Sequence, residues 1–427
     1  MITSPAFSGK SFAVLGLARS GLATVEALLA SGASVMAWDS KEEAREKLRI
    51  SHPSVRIADP LTTSLYGFSG IAVSPGVPLN RHPIARRGRE AKVPVIGDIE
   101  LFAQARPGLP RHKVVGITGT NGKSTVTALI HHILSQAGVP TLMGGNIGLP
   151  ILSRDPLPQG GVYVLELSSY QIDLTQSLDC DVAVLLNVTP DHLDRYDGMD
   201  DYAASKARLF AMQSPEHVAV IAAEDDYTRA IAGQVGGRKI LVSASQVKDQ
   251  SRWPSLQGPH NAQNVAAAVA VVRELGVADA VVAQALETYP GLPHRMERVA
   301  EKSGVLFVND SKATNPTSTA PALAAYPAVR WILGGLPKGD DLSPCEPHLG
   351  HVRAAYTIGE AGPMFAQLLR PKVPVTECGE LGAAVTAAAN DAQAGEVVLL
   401  SPACASFDQF KDYEARGAAF RAAVEAL

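Results

Sequence analysis

The sequence predicts an α/β protein of three domains: an N-terminal Rossmann-like domain, a central P-loop mononucleotide-binding sheet, and a C-terminal Rossmann-like domain. Three observations predict it. An apolar, β-rich run passes into small or polar residues and then a helical pattern at three separate places, and alternation of this kind implies doubly wound sheets. The 427 residues exceed one ordinary domain, and at about 150 residues per domain they suggest roughly three. Residues 119–125, Gly-Thr-Asn-Gly-Lys-Ser-Thr, follow a strand-like run and open a helical one, which is the setting of a phosphate-binding loop.

In the first domain, Ser11 to Leu15 reads as a strand, Gly16-Leu-Ala-Arg-Ser-Gly21 as a turn, and the Ala/Leu-rich stretch to Ala30 as a helix. Strands Ser34 to Trp38 and Gly70 to Val73 follow, ending in Asp39 and in Ser74-Pro75-Gly76. Strand, turn, helix and strand within about 30 residues make a βαβ unit. The turn is a degenerate G-x-G-x-x-G with Ala18 in place of the middle glycine. Asp39 stands where NAD enzymes hold the ribose. On these residues alone an NAD(P)-dependent oxidoreductase stays open, although the missing glycine restricts backbone approach to a pyrophosphate.

In the second domain, Lys113 to Ile117 runs into the phosphate loop and Val126 to Ala137 continues as a helix; Tyr163 to Glu166 and Val182 to Val188 read as buried parallel strands. The usual loop pattern would place a glycine at Ile117, so the loop is a shortened variant led by Gly119. Small residues let backbone N–H groups face phosphates, and the next helix offers its N-terminus to negative charge. The loop thus predicts binding of a nucleoside triphosphate, read as ATP. Lys123 reaches the terminal phosphates, and Ser124 or Thr125 can ligate Mg²⁺. Glu166 ends one strand and His192 follows another. Strand C-termini in an open parallel sheet share one crevice, so both are expected to ligate metal beside the γ-phosphate. Lys206, in a helical Ser-Lys-Ala-Arg stretch, reads by itself as a surface lysine.

In the third domain the strands are Val305 to Val308, Arg330 to Leu333, Ala354 to Ile358 and Glu396 to Leu400. Boundaries near residue 101, where the chain enters Phe102 to Pro110, and near Gly291-Leu-Pro293 divide the chain into 1–101, 102–291 and 292–427.

Hydrophobic residues at 46% against 19% charged supply buried cores and exclude a disordered chain. A net charge of −4 without a long Lys/Arg run argues against nucleic acid as partner. No apolar stretch approaches the ~18 residues of a spanning helix. Phe12 to Ala18 passes straight into Arg19 and reads as a strand rather than a signal peptide. The four cysteines are scattered, as reduced thiols are in a reducing compartment. The expectation is a soluble, cytoplasmic monomer with no membrane partner.

Seven segments together resemble one family: GTNGKST, GGNIG (144–148), ELSSYQ (166–171), NVTPDHLDRY (187–196), G-x-H-N-x-x-N (258–264), NDSKATNP (309–316) and SPACASFDQF (401–410). They are similar to those of the Mur ligases, in family order and over nearly the whole chain. GTNGK is shared with sister ligases and folylpolyglutamate synthases. ELSSYQ, NDSKATN and SPACASFDQF discriminate the D-glutamate-adding branch.

The resemblance implies that ATP phosphorylates the carboxylate of UDP-N-acetylmuramoyl-L-alanine. The amine of D-glutamate then attacks the acyl phosphate, in peptidoglycan precursor synthesis. It implies ATP contacts from Gly119, Thr120, Asn121, Gly122, Lys123, Ser124 and Thr125, from Asn264 at the base, and from Arg295, Asp310 and Lys312. Two Mg²⁺ sites are implied: a loop hydroxyl with Glu166 at one, His192 and a carbamylated Lys206 at the other. Lys123, Glu166, His192 and Lys206 form the implied catalytic set. For the UDP substrate it implies Arg19 and Ser20 along the diphosphate and Asp39, Ser40 and Lys41 near uracil. Ser74 and Gly76 fall near diphosphate or ribose, and Asn146 and His192 by the muramoyl-alanine.

For D-glutamate it implies Thr314, Lys338, Ser406, Phe407 and Tyr413, with Ser406 in a turn from strand to helix. The third domain is expected to move on nucleotide binding. Two positions depart from the family pattern: Leu336 stands where many relatives carry Asp, and Tyr413 where some carry Phe. Besides the oxidoreductase, a folylpolyglutamate synthase-like ligase and a non-catalytic nucleotide-binding regulator remain as alternatives.

Overall fold

The protein is described by a computed structural model covering residues 1–191, 194–337 and 339–427. It divides into two compact units, Met1–Ser243 with Ala266–Ala285, and Ala244–Val265 with Leu286–Leu427.

The first unit holds two sheets. Strands β1 (Ser11–Leu15), β2 (Ser34–Trp38), β3 (Arg56–Ile57), β4 (Gly70–Val73) and β5 (Val95–Ile96) form the first, in the order β3-β2-β1-β4-β5. All its pairings are parallel. Strands β6 (His112–Thr118), β7 (Thr141–Gly145), β8 (Gly161–Glu166), β9 (Val182–Leu185), β10 (Val218–Ala222) and β11 (Arg238–Val242) form the second, in the order β11-β10-β9-β6-β8-β7. It too is wholly parallel. Strands β6, β8, β9 and β10 carry nearly unbroken Val, Ile, Leu and Ala because helices cover both faces.

The second unit holds β12 (Glu297–Lys302), β13 (Val305–Asn309), β14 (Val329–Gly334), β15 (Val352–Ile358), β16 (Val375–Gly379) and β17 (Val397–Leu400), in the order β12-β13-β17-β14-β15-β16. Strand β12 pairs antiparallel with β13 through Ser303-Gly304. Its Glu, Arg and Lys side chains and half-exposed setting hide it from a search for apolar runs, and charge of this kind protects an edge.

The predicted strands are present within a few residues, with one instructive exception. Val182 to Val188 reads as a single strand, yet the ladder stops at Leu185. Beyond it the backbone turns from the sheet to the phosphate loop: Leu186 N–H still reaches Thr118 O at 3.1 Å, while the carbonyl of Asn187 accepts from Thr120 N–H at 2.8 Å. Among the described residues, no helix is long and apolar enough to cross a membrane.

Candidate active site

The phosphate loop joins β6 to the helix Lys123–Gln136. Gly119 sits at φ +145°, and a Cβ there would come within 3.0 Å of Leu186 Cβ and 3.2 Å of Asn187 N, so the close approach of two backbones requires glycine. Asn187 then fixes the next two residues. Its carbonyl accepts from Thr120 N–H, its Oδ1 accepts from Asn121 N–H at 2.8 Å, and its Nδ2 donates to Asn121 O at 3.1 Å. The loop was expected to aim its amides at phosphate generally. The amides of Thr120 and Asn121 instead face Asn187. No side chain caps the helix that begins at Lys123, and a helix N-terminus favours negative charge.

Loss of the Asn187 clamp removes two side-chain hydrogen bonds, each worth about 1 kcal/mol net. Asn187→Ala is therefore expected to weaken ATP binding about tenfold, measured by titration with a non-hydrolysable analogue, and to lower the melting temperature by a few degrees. Sequence reasoning missed Asn187. The signal was available, as a polar residue directly after an apolar strand in a quoted motif.

Register places the polar strand ends together: Ile117 lies opposite Glu166, and Thr118 opposite Leu185. Glu166 is 2% exposed, and its two oxygens accept from Ser124 Oγ at 2.5 Å and Asn146 Nδ2 at 2.9 Å. Asn146 N–H also donates to Glu166 O at 2.8 Å. Glu166, Ser124 and Asn146, from three separated segments, thus form one cluster of hard oxygen donors. Lys123 Nζ donates to Gly119 O at 2.9 Å and Thr120 O at 2.8 Å.

Lys206 is not the surface residue that its local sequence suggests. Its helix, Met199–Ala211, turns it inward, where it is 1% exposed. Nζ donates to Gly119 O at 3.1 Å and sits 4.2 Å from the centre of the Tyr202 ring. Burial drives its pKa well below the usual lysine value; Lys123 pushes the same way, and Asp191 and Asp173 oppose. The amine therefore tends to neutrality, which is nucleophilic chemistry rather than salt-bridge chemistry. Tyr202, another residue missed in sequence, also lies against Thr120 Oγ1 at 3.3 Å. His192, assigned to metal and substrate, lies outside the described residues, as does Lys338.

In the first sheet the helix Arg19–Ala30 starts without a side-chain cap, so Arg19 and Ser20 lie in its open first turn. A Cβ on Gly21 would lie 1.8 Å from Gly16 O, which accounts for the last glycine of the fingerprint. Asp39 braces that turn: its carboxylate accepts from Leu17 N–H at 2.7 Å and Lys41 N–H at 2.9 Å. Ser40 and Gly76 are exposed, and Ser74 Oγ donates to Gly16 O at 3.3 Å.

Within the second unit Arg295, Asp310, Lys312 and Ser406 lie in segments next to the ends of β12, β13 and β17. Arg295 stands between His294 (φ 62°) and Met296 (φ 47°), two left-handed non-glycine residues of the kind that cluster at functional sites. Met296 N–H donates to Asp310 at 3.1 Å, and Ser401 Oγ donates to it at 2.8 Å. Lys312 Nζ lies 3.7 Å from the Tyr413 ring centre, a cation–π contact. Asn264 Nδ2 donates to Asn261 Oδ1 at 3.1 Å. Asn261 itself donates to Gln257 O at 3.0 Å from within the first turn of the helix Pro259–Glu274. Thr314 is half-buried, Ser406 buried and Phe407 69% exposed.

Ser406 lies in the connection from β17 to the next helix; turns occupy that stretch, and the helix begins at Tyr413, capped by Asp412. What holds the Ser406 segment is Arg416, also missed in sequence. It is 1% exposed and donates to Ser311 Oγ and O, Cys404 O, Ala405 O and Gly334 O. One guanidinium thus ties the NDSK, Gly-Gly and SPACAS segments together.

Burial raises the Asp310 carboxyl from 3.8 to about 7. Between about pH 4 and pH 7 the folded protein then holds a proton that the unfolded chain has released, so the contribution of Asp310 to stability is fully present at low pH and is lost as pH rises to about 7. The expected loss is on the order of 2 kcal/mol between about pH 5 and pH 7. Denaturant unfolding of Asp310→Asn is expected to lack most of this slope.

Three largely parallel α/β sheets, one with a shortened phosphate loop facing a buried carboxylate and lysine, define a multidomain nucleotide-binding protein. The chain belongs to the Mur ligase family. Residues 10–97 match the Mur ligase MurD-like N-terminal domain, 117–255 the Mur ligase middle domain, and 294–404 the Mur ligase glutamate ligase domain. Its whole length is 64% identical to the UDP-N-acetylmuramoylalanine–D-glutamate ligase of Novosphingobium aromaticivorans, covering 97% of that protein. It is 60% identical to the enzyme of the same name from Zymomonas mobilis, covering all of each chain. The crystal structure of MurF ligase from Thermotoga maritima in complex with ADP shares the fold, with a TM-score of 0.64 at 16% identity, over 98% of this chain and 96% of that one.

Proposed function

We infer that the protein is an ATP-dependent ligase that joins D-glutamate to UDP-N-acetylmuramoyl-L-alanine in peptidoglycan precursor synthesis. Full-length identity of 60–64% to enzymes of that name carries the reading, and it disfavours the oxidoreductase, folylpolyglutamate synthase and regulator alternatives. The braced Asp39 and the Ala18 substitution agree with a UDP rather than a dinucleotide ligand in the first sheet.

The mechanism follows from the electrostatics. A carboxylate is a poor electrophile and repels ATP, so cations are needed where the two meet. The helix N-terminus at Lys123 and the Lys123 ammonium hold the terminal phosphates. The substrate carboxylate attacks the γ-phosphorus, giving an acyl phosphate and ADP. The D-glutamate amine then attacks the acyl carbon, and phosphate leaves with one of the original carboxylate oxygens. Ser124 or Thr125 with Glu166 would hold one Mg²⁺, and the oxygen-rich donor set fits a hard cation. A cation held there would neutralise charge on the transferring phosphoryl group. His192 and Lys206 would serve a second; for Lys206 this requires addition of CO₂ to the amine with loss of a proton, and burial favours the neutral amine that the addition needs.

Arg19, Ser20, Asp39, Ser40, Ser74, Gly76 and Asn146 are assigned to the UDP substrate, and Asn264, Arg295, Asp310 and Lys312 to ATP. Thr314, Lys338, Ser406, Phe407 and Tyr413 are assigned to D-glutamate. The functional domains are 1–101, 102–291 and 292–427, in a cytoplasmic monomer.

The assay is phosphate release from ATP. The expected result is release that requires UDP-N-acetylmuramoyl-L-alanine and D-glutamate together. Release that ignores the UDP substrate, or that prefers L-glutamate, contradicts the assignment.

A further inference from the structure

Within the first unit, a strap of hydrogen bonds joins the loop after β4 to the segment before the Lys206 helix. Arg195 donates to three consecutive carbonyls: Pro75 O at 3.3 Å, Gly76 O at 3.4 Å and Val77 O at 2.9 Å. In return, Asn80 Nδ2 and Arg81 Nη2 donate to Asp194 O at 3.1 and 2.9 Å. The guanidinium is held in plane by the ring of Tyr170, 4.1 Å away.

The anchorage continues inward. Tyr170 and Tyr196 stack at 6.2 Å, Tyr196 OH donates to Asp173 at 2.8 Å, and Ser205 Oγ donates to the same carboxylate at 2.7 Å. Ser205 precedes Lys206. A contiguous run of contacts therefore links residues 75–77 of the first sheet to the lysine of the second. A cavity of about 510 Å³, lined in part by Pro75, Val77, Tyr170 and Arg195, lies against the strap; Val77 and Leu79 pack in part on the core of the first sheet, and the Arg195 hydrogen bonds hold the carbonyls of residues 75–77.

We propose that Arg195 is a positioning residue for the UDP substrate: its fork on residues 75–77 holds the loop of Ser74 and Gly76 in its binding geometry. Arginine suits this task because its planar fork serves several carbonyls at once, which the point charge of lysine cannot. The proposal rests on the assignment of Ser74 and Gly76 to the UDP substrate.

The test compares Arg195→Ala, Arg195→Lys and Asn80→Ala with the wild type. Calorimetric titration with UDP-N-acetylmuramoyl-L-alanine and, separately, with an ATP analogue is paired with steady-state kinetics. Arg195→Ala is expected to raise Kd and KM for the UDP substrate about tenfold, with ATP affinity and saturated kcat within about threefold, the pattern of lost uniform binding. Arg195→Lys recovers a minority of the loss. Asn80→Ala, a truncation of an exposed side chain on the opposite side of the strap, shifts the same parameter about threefold, and it decides the matter if Arg195→Ala fails to fold. Unchanged UDP-substrate affinity in a folded Arg195→Ala, or in Asn80→Ala, overturns the proposal, as does parallel loss of affinity for both nucleotides. A wild-type protein that does not bind the UDP substrate contradicts the functional reading instead, and so the two failures are distinguishable.

Discussion

Lys206→Ala is expected to abolish turnover, with kcat lower by about 10³-fold or more, while Lys206→Met leaves the protein at least as stable as the wild type. These two outcomes together discriminate between roles. A lysine kept for stability is costly to remove. Lys206, however, is 1% exposed, and burial and Lys123 both disfavour its charge. An apolar residue of similar volume relieves that penalty, so Lys206→Met is expected to melt no lower than wild type. Arginine cannot accept CO₂ as a neutral amine does, and Lys206→Arg is expected to be as inactive as Lys206→Ala. Acetate or formate added to Lys206→Ala is expected to restore part of the activity by supplying the missing carboxylate. Undiminished kcat in Lys206→Ala removes the residue from the mechanism.

The second large effect is expected at Glu166. Glu166→Gln preserves shape and can still accept from either Ser124 or Asn146, yet it replaces an anion by a neutral amide in a site 2% exposed. If the carboxylate holds a divalent cation against the phosphates, kcat falls about 10³-fold, and the Mg²⁺ concentration for half-maximal rate rises. If Glu166 serves only to order Asn146 and the loop, glutamine keeps most of the function and the metal requirement does not move. A titration of initial rate against Mg²⁺ for the two proteins separates these cases.

Much of this molecule is legible in the sequence. The strands of the parallel sheets announce themselves because burial on both faces leaves long apolar runs, and the phosphate loop because its glycines, lysine and hydroxyls have fixed order. Edges and returns are harder to read. Strand β12 is half-exposed and charged, and β9 ends early because Asn187 is drawn to the loop rather than along the ladder. Side-chain direction is the other limit. Nothing local to Ser-Lys-Ala-Arg says that Lys206 points inward, since that depends on which face of its helix meets the second sheet. Arg416 and Arg195 are illegible for a related reason: each ties together carbonyls far away in sequence, and carbonyls carry no residue identity.

The central claim is that the carboxylate of the UDP substrate is activated by phosphorylation. The measurement that tests it most directly is the fate of that carboxylate's oxygen. UDP-N-acetylmuramoyl-L-alanine labelled with ¹⁸O in its alanyl carboxylate is turned over with ATP and D-glutamate, and the inorganic phosphate is analysed by mass spectrometry. Transfer of one labelled oxygen to phosphate per amide bond formed is the predicted result. Phosphate free of label, with amide formed at the normal rate, contradicts the account.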